Sequence, residues 1–172
     1  MKKMFIGVLV LLALGLAFGH PAIAAPNPPT DADFSFDLPA DFAAPGQCAF
    51  PFRLASLNGK GKTILLPDGR IIFTSPGLDV TVTNLDNLKQ VTLNITGAIH
   101  QTTKANGDIV TVITGRNFVT DPFAGVVLSI GHFSFAFDAG GVLIQPLAGK
   151  GTLTDICGLI ERIPAKGKGR RI

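Results

Sequence analysis

Tryptophan and tyrosine are absent, cysteine occurs twice, and only 16% of the 172 residues are charged. Without indole and phenol rings the chain lacks most amphipathic stacking surface, which counts against glycan binding and antibody-like recognition. Low charge beside 47% hydrophobic residues excludes a disordered polyelectrolyte. Signatures of chemistry are missing too. There is no Gly-x-Ser-x-Gly, no His-Glu-x-x-His, and no glycine-rich phosphate loop after a strand. Beyond residue 18 no apolar run is long enough to span a bilayer as a helix. The length suits one ordinary domain.

What is present begins with a leader. Lys2 and Lys3 precede an apolar stretch over residues 4–18, Pro21 breaks it, and Ala22-Ile23-Ala24 supplies small residues for cleavage. This reads as a secretory signal peptide over 1–24, too short in its apolar part for a spanning helix, so export to the medium or the cell envelope is expected. The first cysteine, Cys48, lies far from the cut, so no lipobox cysteine is present there, and the alternative to cleavage is an uncleaved N-terminal anchor.

Without Lys2 and Lys3, 13 of the 15 basic residues remain against 12 acidic ones. Arg162, Lys166, Lys168, Arg170 and Arg171 crowd the C-terminus, leaving residues 25–161 net acidic. Such a body has no basic face for nucleic acid. The tail over 162–172 reads as a flexible basic end, and its one candidate partner is an anionic surface, through weak electrostatics.

In an oxidising compartment an even cysteine count favours one bridge, here Cys48 to Cys157, which ties the start of the folded body to its end. Residues 25–47 are rich in Pro and Ala and read as an extended lead-in. Its acids, Asp31, Asp33, Asp37 and Asp41, lack the spacing of a calcium loop. No metal or cofactor is expected.

From residue 48 to 161 the pattern has period two. Val80 and Val82, then Val91, Leu93 and Ile95, alternate with Thr81, Thr83, Thr92, Asn94 and Thr96. Runs over 49–55, 63–66, 71–74, 98–103, 109–114, 126–138 and 142–145 behave alike. Turn residues separate them: Asn58-Gly59, Pro67-Asp68-Gly69, Pro76-Gly77, Asn106-Gly107 and Asp138-Ala139-Gly140-Gly141. The expected fold is all-β: an antiparallel meander of about 8–10 strands, closed as a barrel or flattened into a barrel or sandwich. Gly131 falls inside the longest run and predicts a bend or bulge. Ile156, Leu159, Ile160 and Ile163 have helical spacing, with Thr154 or Asp155 as cap, so a short helix closes the chain and carries Cys157 toward Cys48.

No catalytic residue is nominated. The candidate ligand-binding residues are His132, Arg116, Phe133 and Phe135. Phe133, Phe135 and Phe137 share one face of a strand and read first as core, with a pocket lining as the runner-up. His132 lies on the opposite face and would need Arg116, Asp155 or His100 from another strand to form a site. Asn94-Ile95-Thr96 matches a glycosylation sequon.

The succession of Cys48, Pro67-Asp68-Gly69-Arg70, Ser75-Pro76-Gly77-Leu78, Val80-Thr81-Val82-Thr83-Asn84, Thr114-Gly115-Arg116-Asn117 and Thr154-Asp155-Ile156-Cys157 resembles small uncharacterised secreted proteins of Gram-positive, actinobacterial-type bacteria. The resemblance covers residues 48–160 and implies an exported β-protein, with no activity attached. The strand order is also loosely similar to calycin-like barrels, although their Gly-x-Trp motif is missing. The function expected is therefore a non-enzymatic extracellular or cell-surface role. The alternative is a carrier of a small apolar ligand, or a barrel enzyme, using the interior.

Overall fold

Residues 28–42, 48–57 and 59–163 are described by the computed structural model. Residues 1–27, which include the expected leader, residues 43–47 of the lead-in, Asn58 and residues 164–172 of the tail lie outside them. Alternation of β-branched and polar side chains yields eleven strands: β1 (Thr30–Asp31), β2 (Phe34–Leu38), β3 (Phe52–Ser56), β4 (Lys60–Leu65), β5 (Ile71–Thr74), β6 (Asp79–Asn84), β7 (Gln90–Asn94), β8 (Gly97–Thr103), β9 (Ile109–Asp121), β10 (Gly125–Phe137) and β11 (Leu143–Asp155). Helix α1 (Ile156–Arg162) follows directly.

The strands form two antiparallel sheets, ordered β1-β4-β5-β8-β9-β10-β11 and β2-β3-β6-β7. The all-β, sandwich-like reading holds, with one short C-terminal helix. The larger sheet does not close into a barrel, since β1 and β11 remain its edges. In-order pairing runs unbroken only from β8 to β11. Elsewhere the chain changes sheets through short links, at residues 32–33 and 57–59, and then as a pair at 75–78 and 95–96. The last two crossings hold each other: the Ser75 hydroxyl donates to the Ile95 carbonyl (2.7 Å), and Ile95 N–H donates to Leu78 O (2.8 Å). Gly77 makes the first crossing tight with a φ of +69°. A link of four residues is long enough to change sheets, so short connections did not force neighbours to pair in sequence.

The lead-in is extended, and it is also paired. β1 lies beside β4 and β2 beside β3, while Phe34, Leu38 and Phe42 pack against the core.

β9, β10 and β11 are each 13 residues long, and all three cross a row of glycines. Gly97 pairs with Gly115, Gly115 with Gly131, and Gly131 with Gly151. Gly115, Gly131 and Gly151 have φ of +78°, +140° and +144°, values that L side chains rarely adopt. A Cβ on Gly131 would stand 2.8 Å from the Gly151 Cα. Only hydrogens fit between these backbones, and the sheet bends there. The bend returns the β9–β10 turn over the sheet. Asp121 accepts from Phe123 N–H and Ala124 N–H within that turn (both 2.8 Å), and also from Leu147 N–H on β11 (3.2 Å).

Two apolar cores result. One lies between the small sheet, the first half of β10 and α1, and contains Phe52, Val80, Val82, Val126, Leu128 and Ile160. The other fills the inside of the bend with Ile113, Val119, Val127, Phe133 and Phe135. Adjacent residues Val126, Val127 and Leu128 serve different cores because strand side chains alternate in direction. Asp155 caps α1 by accepting from Cys157 N–H and Gly158 N–H (3.0 and 3.1 Å), and Ile156 and Ile160 are fully buried. The Cys48–Cys157 disulfide, with Cα atoms 5.5 Å apart, pins α1 to the chain entering β3.

Candidate functional site

Residues opposite one another in antiparallel pairing share a face, so the registers define the outer surface of the large sheet. One row crosses it as Lys62, Thr74, Ala98, Thr114, His132 and Lys150. The next reads Ile64, Ile72, His100, Val112, Ser134 and Ala148. The alternate residues of β9 and β10, among them Ile113, Phe133 and Phe135, point into the bend.

This arrangement brings together histidines 32 positions apart. His100 on β8 and His132 on β10 line one open groove of about 330 Å³ with Leu66, Arg70, Ile71, Ile72, Thr102, Val112 and Thr114. Thr114 also belongs to a second hollow of about 340 Å³, bordered by Thr74, Ser75, Pro76, Thr96, Gly97, Ala98 and Gly115. The two succeed one another along β8 and β9. Gly97 and Gly115 give the second hollow a floor of bare backbone.

Arg70 is held from behind. Asp68 accepts from Arg70 N–H (3.1 Å) and from its Nε (2.7 Å). Those backbone and side-chain hydrogen bonds, in that order, draw the Asp68 carboxyl below its ordinary value, so it stays a carboxylate and fixes the guanidinium. The turn that permits this is Pro67-Asp68-Gly69, with Gly69 at φ +81°.

The nominated residues divide. His132 is exposed on the groove. Arg116 is directed elsewhere, its Nε donating to the Asn94 carbonyl (2.8 Å). Phe133 and Phe135 are 5% and 8% exposed, in the inner core on the other face. Asp155 is occupied as the helix cap. Of the partners considered for His132, the structure supplies only His100.

Arg70, Thr102 and Thr114 were not nominated. Period two along β5 does place Arg70 on the face of Ile72 and Thr74, but the pairing of β5 with β8 across an inserted hairpin is not readable from local pattern.

The groove's polar side chains are two imidazoles, a guanidinium and two hydroxyls, and no carboxylate lines it. The Ser75 hydroxyl of the neighbouring hollow is spent on the Ile95 carbonyl. Among the described residues no cluster of three or more His, Cys, Asp or Glu could hold a metal ion. No described helix is long and apolar enough to cross a membrane. No protein-family model matches the chain, and no curated protein or solved structure is similar to it.

Proposed function

We propose that the protein is an exported, non-enzymatic binding module of the cell exterior or envelope, and that the outer face of its large sheet is the contact surface. One observation carries this reading: His100, His132 and Arg70, distant in sequence, converge on an open groove on the outer face of the large sheet. The Cys48–Cys157 bridge fits an oxidising compartment. The leader expected from the sequence agrees with export, and the basic tail offers a weak contact to anionic surfaces. An interior carrier or barrel enzyme is the less favoured reading, because Phe133 and Phe135 pack against Ile113 and Val119 rather than lining a void.

Fractionation of cells expressing the full chain tests the proposal. Oxidised protein should collect in the medium and envelope, and the double substitution His100→Ala/His132→Ala should shift it from envelope to medium without altering its thermal midpoint. Reduced protein confined to the cytosol would overturn export. Unchanged envelope retention of the double variant would overturn the assignment of the face.

A further inference from the structure

We infer that the groove beside Arg70 is a binding site for an amphiphilic carboxylate, an acidic head joined to a short unbranched apolar chain. The inference rests on the binding-module reading and names the ligand class that the same face would take.

The head is specified by the donor set. Arg70 is acceptor-free, and Asp68 holds it in place through Nε, which preorganises the guanidinium. His100, His132, Thr102 and Thr114 can each donate, and none of the lining side chains is an obligate acceptor. Lys150 lies opposite His132 and adds a second cation on that side of the groove, while the Asp68 carboxylate offsets the charge of Arg70. A carboxylate can accept from several of these donors at once, with a charge assistance from the guanidinium that a neutral ligand lacks.

The chain is specified by what lies between and beyond the donors. Leu66, Ile72 and Val112 form the apolar side chains of the groove, and the second hollow, which shares Thr114 with it, lies next along the sheet over Ala98, Pro76 and the bare backbone of Gly97 and Gly115. From Thr102 to Gly97 this path runs about 17 Å along β8. No aromatic ring borders either hollow apart from the two imidazoles. Without Phe at its walls the site offers little stacking surface for a sugar ring, and its aliphatic side chains suit an aliphatic chain.

The probes are sodium octanoate, octanol and sodium acetate, titrated calorimetrically at neutral pH into the oxidised protein, with histidine ring resonances followed by NMR. Octanoate should bind and shift both His100 and His132, with octanol and acetate at least tenfold weaker. Arg70→Gln and His132→Gln, both exposed and outside the cores, should each weaken octanoate by at least fivefold, while Arg53→Gln on the small sheet should not. Equal binding of octanol removes the acidic head from the proposal, and equal binding of acetate removes the chain; either result overturns it. If octanoate fails to bind while the histidine double variant still loses envelope retention, the ligand class is wrong and the contact face survives. If both fail, both readings fall.

Discussion

Replacing Gly131 by alanine probes the feature that shapes the large sheet. Two costs combine. Gly131 has a φ of +140°, so a side chain there is strained by roughly 1–3 kcal/mol. The added Cβ would also stand 2.8 Å from the Gly151 Cα, closer than carbon atoms pack, and relief requires β10 and β11 to part. Overpacking of this kind costs about 1–3 kcal/mol. The expected loss is therefore roughly 2–6 kcal/mol, a large share of the ~5–15 kcal/mol that holds an ordinary domain together.

Gly69→Ala separates the two contributions, because Gly69 has a φ of +81° but no atom within 4 Å of where the new methyl group would stand. It should carry the strain alone, roughly 1–2 kcal/mol. Urea unfolding of both oxidised variants, fitted with a common slope, gives the difference. If Gly131→Ala loses no more stability than Gly69→Ala, the close approach of backbones along the glycine row is wrong, and so is the bend ascribed to it.

Three further outcomes follow from named contacts. Replacing Cys48 and Cys157 together by alanine removes a cross-link spanning 109 positions and should destabilise the protein by roughly 2–5 kcal/mol in urea, while alkylation of the unreduced parent should find no free thiol. Asp155→Ala leaves the Cys157 and Gly158 amides without their acceptor and should cost about 1 kcal/mol, read in the same assay. Asp37 receives a hydrogen bond from Arg53 and sits beside its charge, which hold its carboxyl below the ordinary value. The resulting contribution is present above the carboxylate range and lost as pH falls through the lowered value; carboxyl-carbon NMR of Arg53→Gln should show Asp37 titrating at higher pH than in the parent.

Much of the fold was legible because local pattern carried it. Period two along Val80, Val82, Val91 and Leu93 marked half-buried strands, and Ile156 with Ile160 marked the helix face, with Asp155 in place to cap it. Glycine was the misleading residue. Gly115 and Gly151 resemble the turn glycines Gly107 and Gly141 in sequence, yet they lie inside strands, so β9 reads as ending near Thr114 and the second half of β11 goes unseen. A turn and a bend ask for the same backbone freedom, and one chain read alone does not separate them.

The site was less legible for a related reason. His132 stood out by type and strand face, but His100, Arg70 and Thr114 join it only through pairings across the sheet. One of those pairings, β5 with β8, encloses the β6–β7 hairpin inserted into the other sheet.

Labelling of histidine with diethylpyrocarbonate addresses the central claim most directly. Apart from His20, the chain has only His100 and His132, and both lie on the proposed contact face. Mass spectrometry would compare their labelling rates in free protein and in protein retained on purified cell envelope. The account predicts that both histidines are labelled several-fold more slowly when the protein is bound, with the thermal midpoint of the free protein unchanged by the brief treatment. Equal rates in the bound and free protein would contradict it.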